Sequence, residues 1–496
     1  MNINSYTNYF YIIISFLVAI VFSQLYMNIA PSRDFGYYAT LGSEFLEGIF
    51  PYLDYDEIHA PGLTLIFACL IYLFGKSLYP IFIVNILLKL SYSFAVYRLG
   101  SLWNNTIGKL AGIIALFIIY TPTIGGYSAY SVNNCLLLSI LTTFSSYAFL
   151  RGFKNNEFKI NNFFLIGIIL GIALLIRQTV VFTLITIVLI NFFISSKNKI
   201  TNTVALCVAF FIPLLLLCLF FYKLNISNGI FLKSLFFSPD RYEPQFNAKA
   251  IFLQWVMLMP IWCLLATSIT KIVLQSISSR QVTKDMFLIL WLFLSSYVLT
   301  VRQYHQYYIE LFPSISILCA IALKNIVNEL RLSNIKKYCY LNVFIGILLL
   351  SVILLSSLRI TSFYIGYSGS KNMSLNLLTS VGNYIKKHTH KNDRIFVFPA
   401  KPQIYFFSDR KPATSILEWE RYTNQKVQEK IIASLKKNSV QYVIVEDQTK
   451  NDNNKGLYDY TSSAIYNYIV DKYYLDEKIG NLNIYKLHTS KPKTLK

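Results

Sequence analysis

The sequence predicts a polytopic α-helical membrane protein with about eleven transmembrane helices. Interfacial helices are expected in its first outer loop, and a small extracytoplasmic α/β domain at its C-terminal end. Three observations predict this. Of 496 residues, 55% are hydrophobic, and the mean hydropathy is +0.47, too apolar for an ordinary globular enzyme. The basic residues fall in short loops between apolar segments, as the positive-inside rule expects. After Thr361 the long apolar segments stop and short β-type runs alternate with helical patterns.

The spans are expected near 9–29, 79–99, 108–124, 131–150, 162–176, 178–195, 201–222, 250–270, 285–301, 306–323 and 338–358. The first lacks a basic leader and is long for a signal segment, so it reads as a retained helix. Pro61–Gly75 is apolar but short of the roughly 20 residues a span needs, and loop charge decides its fate. If it does not cross, Arg98 and Lys109, then Arg151, Lys154 and Lys159, then Lys197 and Lys199 lie in cytoplasmic loops. If it crosses, that bias inverts. An interfacial helix is therefore expected there, with the amino terminus cytoplasmic, the C-terminal domain outside, and the chain in the cell's inner (plasma) membrane. The expected organisation is a transmembrane domain over 1–360, a linker over 361–376 and an α/β domain over 377–496. In the last, Arg394–Phe398, Val440–Val445 and Leu482–Leu487 read as strands, and Thr423–Lys436 and Ser462–Tyr473 as helices.

The net charge of +21 is accounted for by these loops and does not call for nucleic acid. All seven cysteines lie in or beside apolar segments, which supports neither a disulfide framework nor a thiolate metal site.

The stretch Pro31–Gly75 carries the chemistry. It holds Asp34, Glu44, Glu47, Asp54, Asp56 and Glu57, a concentration of acid in a chain with 24 acidic against 45 basic residues. Acids near lipid are costly unless they face water, a metal or a reactant. Phe35–Glu47 reads as an amphipathic helix with Phe35, Tyr38, Leu41, Phe45 and Leu46 near one face. Asp34 stands just before it, where its plainer reading is an N-cap. On the same outer face the topology places His59, the polar run Tyr127–Asn134, the Arg177–Gln178 break, and Arg302–Tyr308 (RQYHQYY). Acids and cations gathered there suit a reaction on a phosphorylated lipid: carboxylate as base or metal ligand, guanidinium as phosphate clamp. The plainer readings are a snorkelling Arg177 at a span end, a polar turn at Arg302 and His305, and a helix start at Asn133–Asn134. Lys89, inside a span, should face a cavity or partner and not lipid.

With these residues in view, the sequence resembles the GT-C superfamily of membrane glycosyltransferases. Within it the likeness is to the bacterial branch of protein O-mannosyltransferases and the aminoarabinose transferase of lipid A. The resemblance rests on Asp34-Phe-Gly-Tyr-Tyr, Gly48-Ile-Phe-Pro51-Tyr52, His59-Ala-Pro61, Leu73-Phe-Gly75, Arg177-Gln-Thr and His305-Gln-Tyr307-Tyr-Ile-Glu-Leu-Phe-Pro313. Ala60 stands where many relatives have lysine or proline, and one acid opens the loop where relatives have an adjacent pair. The resemblance implies sugar transfer from a polyprenyl-phosphate donor to an acceptor hydroxyl, with inversion. The acceptor would be a lipid, a polysaccharide or a protein. Asp34 matches the family's catalytic acid. Arg177, Arg302, His305 and Tyr307 would meet the donor phosphate. Asp54, Asp56, Glu57 and His59 fall in the acceptor or metal region, and a divalent metal ion is left open as a cofactor. Two other classes fit the same groups: a lipid-carrier flippase or transporter, and a non-catalytic scaffold of envelope assembly.

Overall fold

A computed structural model describes residues 3–25, 27, 29–57, 59–120, 132–155, 159–193, 198–237, 264–273, 284–301, 305–332, 375–399, 401–417, 422, 424–447 and 462–488. The expected span at 338–358, most of that at 250–270 and the body of the 361–376 linker lie outside them. The chain divides into two compact units. One is Met1–Tyr26, Phe82–Asn225 and Glu243–Tyr364; the other is Met27–Ile81, Ile226–Tyr242 and Ile365–Lys496.

The first unit is helical. It contains α1 (Ile3–Leu25), most of α4 (Leu78–Gly100), α5 (Asn105–Ile119), α6 (Asn134–Asn155), α7 (Ile160–Ile176), α8 (Val181–Phe193), α9 (Lys199–Lys223), α11 (Lys284–Val301) and α12 (Phe312–Leu332). Among the described residues three helices are long and apolar enough to cross a membrane: Leu78–Gly100, Asn134–Phe153 and Lys199–Lys223. α7 and α9 touch backbone to backbone. A methyl group at Gly167 or Gly171 would stand 2.4 or 2.3 Å from the carbonyl oxygens of Leu206 and Phe210, the small-residue contact that lets apolar helices associate without a polar seam.

The second unit joins α2 (Arg33–Leu46), α3 (Gly62–Phe74) and α10 (Asn228–Phe237) to an α/β layer. That layer holds α13 (Leu375–His388), α14 (Gln403–Ser408), α15 (Gln425–Lys437) and α16 (Ala464–Lys472). Its sheet has β1 (Arg394–Phe398), β2 (Lys411–Pro412), β3 (Tyr442–Glu446), β4 (Tyr473–Ile479) and β5 (Leu482–Leu487), in the order β2-β1-β3-β5-β4. β1 is parallel to β2 and β3, while β5 runs antiparallel to β3 and β4. Ile395–Phe398 and Tyr442–Val445 are buried, which explains their unbroken apolar runs. Phe396, Val443 and Val445 pack with Ile431 and Leu435 of α15 and Ile465 and Ile469 of α16.

Some boundaries differ from those expected. Leu375–Asn376, given to the linker, begin α13, and Tyr473, given to a helix, begins β4. α2 is not simply amphipathic. Residues 35–44 are buried on all sides, while Leu46, expected on the buried face, is exposed. Packing on two flanks overrides the single stripe that periodicity alone suggests. α3 has 13 residues, short of a span, and closes at Gly75 with φ +70°.

Candidate functional site

The first turn of α2 presents Asp34. Ser32 caps this helix, its hydroxyl accepting the Phe35 N–H at 3.2 Å. The capping role expected of Asp34 therefore belongs to Ser32. Asp34 lies inside the first turn and is exposed, a negative side chain at the positive end of the helix. The helix beneath it is fixed. A methyl group at Gly36 would stand 2.2 Å from the Gln403 backbone nitrogen, so only glycine allows α2 to lie on the start of α14. Phe35 packs edge-on against Phe67 of α3 and Phe406 of α14, at 5.7 and 5.1 Å. The Gln403 side-chain amide donates to the Pro31 carbonyl at 2.8 Å. Further along, Tyr55 donates to the buried Glu44 at 3.2 Å. Burial holds that carboxyl above its usual range, against the pull of Lys411.

The acids after α2 have separate surroundings. Asp54 accepts the Phe50 N–H at 2.8 Å and closes an exposed turn. Asp56 is exposed, and its backbone N–H donates to the Ser415 carbonyl at 3.1 Å. Glu57 is buried, and both its oxygens are used. Tyr37 donates to Oε2 at 2.8 Å, and the His59 backbone N–H donates to Oε1 at 2.7 Å, with His59 Nδ1 3.0 Å from the same oxygen. The His59 ring meets Tyr37 and Tyr38 edge-on, at 5.5 and 5.9 Å. So Glu57 and His59 come together on the aromatic side of α2. They form a pair and not a ligand set: among the described residues no group of three or more His, Cys, Asp or Glu could hold a metal ion.

The other unit holds Arg177. The residue ends α7 in an extended conformation (φ −163°, ψ 137°) and a 3₁₀ turn, Gln178–Val180, follows before α8. Arg177 does not snorkel. It is 9% exposed, with Nε 2.8 Å from Glu310 Oε1 and 3.1 Å from Thr179 Oγ1. Its guanidinium lies 3.9 Å over the centre of the Tyr307 ring, and Nη1 donates to Cys135 Sγ at 2.8 Å. Glu310 is 7% exposed and ends the 3₁₀ turn His305–Glu310. Ser139 of α6 donates to the Ile309 carbonyl of that turn at 3.0 Å. Arg177 and Tyr307, both expected at the site, are thus brought together. Glu310 and Cys135 were not singled out by sequence reasoning. The only signal for Glu310 is an acid inside an apolar motif, YYIELF. Arg302, the side chain of His305 and residues 127–131 lie outside the described residues. Asn133 opens α6, its Oδ1 accepting the Cys135 N–H at 2.7 Å, so the plainer reading of that asparagine holds. Lys89 is buried, its Nζ 4.2 Å from the centre of the Tyr120 ring.

Residues 58–221 match the family model described as dolichyl-phosphate-mannose-protein mannosyltransferase. That range takes in His59 and Arg177 and begins beyond Asp34. Residues 378–470 match the model of the Ccs4 C-terminal domain. No curated protein matches the sequence. Among solved structures, ArnT from Cupriavidus metallidurans bound to undecaprenyl phosphate is similar over 99% of both chains, with TM-score 0.62 and 12% identity. The oligosaccharyltransferase AglB from Archaeoglobus fulgidus, in complex with an inhibitory peptide and a dolichol-phosphate, gives TM-score 0.60 at 11% identity. That match covers 99% of this chain and 75% of AglB. The arabinofuranosyltransferase AftD from Mycobacteria gives TM-score 0.53 at 9% identity, over 96% of this chain and 40% of AftD. At such identities the likeness is one of fold.

Proposed function

We propose that this chain is a membrane glycosyltransferase of the GT-C superfamily and transfers a sugar from a polyprenyl-phosphate donor to an acceptor hydroxyl at the outer face of the membrane, a reading supported by the family-model match and the likeness of fold. In this reading Asp34 takes the proton of the acceptor hydroxyl. The hydroxyl oxygen attacks the anomeric carbon, the bond from that carbon to the phosphate oxygen breaks, and polyprenyl phosphate leaves with the electron pair. Attack opposite the leaving group inverts the anomeric centre. Charge grows on the phosphate as it departs, so cations and donors held near it lower the barrier. Arg302, His305 and Tyr307 are assigned that role. Arg177 already contacts Glu310, Thr179 and Cys135. It is therefore assigned to hold the 305–310 turn in place, meeting phosphate only if one of those contacts is exchanged.

The observation that carries the reading is Asp34. It is exposed in the first turn of a helix that Ser32 caps, and that helix is pressed so closely onto its neighbour that Gly36 admits no side chain. A general base needs both access and a fixed position. The acceptor is assigned as a lipid, a polysaccharide or a protein of the cell envelope. The test is release of polyprenyl phosphate from radiolabelled polyprenyl-phosphate sugars in membranes containing the chain. Release that requires an envelope acceptor is expected. No consumption of any donor, with acceptors supplied, would overturn the assignment in favour of a transporter. The topology is tested separately: in Glu429→Cys, exposed on α15, the thiol should react with a membrane-impermeant reagent from outside intact cells. Reaction only after lysis would invert the assigned orientation.

A further inference from the structure

The end of α2 away from Asp34 opens onto a groove of about 460 Å³. Asp34 and Glu47 lie near opposite ends of this helix, roughly 20 Å apart along its axis, so the groove is not the place where Asp34 would act. It is lined by Glu47, Gly75, Lys76, Lys386, Lys391 and Asp409, with Leu78 and Phe406 among the apolar walls. Lys76 pairs with Asp409, and Glu47 pairs with Lys411 at 2.5 Å. Burial pushes the Asp409 carboxyl up, but Lys76, Lys391 and Lys386 together outweigh it and hold it below the usual aspartate range. Three lysines thus converge on one carboxylate, which leaves cationic charge in excess. Lys386 and Lys391 are exposed.

The second observation is apolar. Tyr72, Leu73 and Phe74, which lead into Gly75, are 77%, 60% and 56% exposed. Leu78 is the first residue of a helix long and apolar enough to cross a membrane. A basic groove at the start of a helix long and apolar enough to cross a membrane, beside bare aromatic and aliphatic side chains, joins cationic to apolar surface. A soluble anion has no use for the apolar surface, and an acyl chain alone has no use for the lysines. Together they match one molecule with a negative head and a hydrocarbon tail.

We propose that this groove binds the anionic headgroup of a membrane lipid, with its phosphate on Lys386 and Lys391 and its tail along Tyr72, Leu73 and Phe74. The site stands whether or not Asp34 is a catalytic base. Its occupant would link α13 of the α/β layer to the α3–α4 turn.

The test uses the full chain in nanodiscs of phosphatidylcholine containing phosphatidylglycerol. Native mass spectrometry counts the lipid retained by the wild type, by Lys386→Glu with Lys391→Glu, and by Lys387→Glu. Lys387 is exposed beside the groove without lining it. Wild type and Lys387→Glu should retain phosphatidylglycerol over phosphatidylcholine. The double variant should lose that preference by roughly tenfold or more, while eluting as a folded monodisperse species. Millimolar inorganic phosphate should not displace the lipid. Equal retention of the two lipids by the wild type, an unchanged preference in the double variant, or equal loss in Lys387→Glu would overturn the proposal. Displacement by inorganic phosphate would also overturn it, in favour of a soluble-anion site.

Discussion

Arg177 and Asp34 are both charged residues at the end of a helix, and the chain treats them in opposite ways. Arg177 is closed in. Glu310 answers its charge, Tyr307 covers a face of the guanidinium, and Cys135 and Thr179 take further hydrogen bonds. Asp34 is left at the surface, while the helix under it is packed on both flanks. A buried charge is tolerated only where its partner is also built in, so such a residue becomes a structural pivot. An exposed acid on a rigid helix stays accessible from solvent at a fixed position. The contrast separates a buried, paired residue that holds the molecule from an exposed one that the proposed reaction uses as its base.

The contrast can be broken at several points. The largest effect on stability is expected from Glu310→Ala, which leaves the Arg177 guanidinium buried without its counter-charge. A loss of about 3–5 kcal/mol is expected, read as a lowered thermal midpoint in detergent, and a change below about 1 kcal/mol would show that Arg177 does not depend on Glu310. Next comes Gly36→Ala. The added methyl group meets the Gln403 backbone, and α2 and α14 must part at a cost of about 1–3 kcal/mol. Hydrogen exchange should quicken in both helices; unchanged protection would mean that α2 is not fixed in the way argued. Ser32→Ala removes the cap for about 1 kcal/mol. It should fray the first turn of α2, visible as faster exchange at Phe35, whereas an effect as large as that of Gly36→Ala would contradict the ranking.

The smallest effect is a pH dependence. The carboxyl of Asp409 lies below its ordinary value in the folded chain. Its pairing with Lys76 therefore stabilises fully above the ordinary aspartate value, about 3.9, and that contribution is lost as pH falls through the lowered folded value. A partly exposed pair is worth about 0–1 kcal/mol. Asp409→Asn should flatten the acid limb of a pH-stability curve by that little, and a steeper limb in the variant would reverse the assigned sign.

Legibility in the sequence followed the physics of each residue. RIFVF and LNIYKL read as strands, and both form at the expected positions, because the core of this sheet is an apolar run or an alternation. β4, YYLDEKI, carries charge and is mostly exposed, so its pattern does not announce a strand; pairing with β5 makes it one. β2 is two residues long, below any periodicity. The Arg177 break was legible, since a guanidinium interrupts an apolar run. Its partner Glu310 was not, because no local rule links residues so far apart in the chain. Asp34 was legible as an acid at a helix start, but its cap assignment failed because Ser32, two residues earlier, offers a hydroxyl that reaches the Phe35 N–H. The buried flanks of α2 depend on α14, which no local pattern places beside Gly36.

The most direct measurement is sugar transfer by Asp34→Asn beside the wild type, at equal expression and with matched thermal midpoints. Asparagine keeps the shape and loses the base. If Asp34 deprotonates the acceptor, donor consumption falls about a hundred- to ten-thousandfold, with the fold unchanged because Ser32 still caps α2. Equal consumption by both proteins would contradict the account at its centre and remove Asp34 from the reaction.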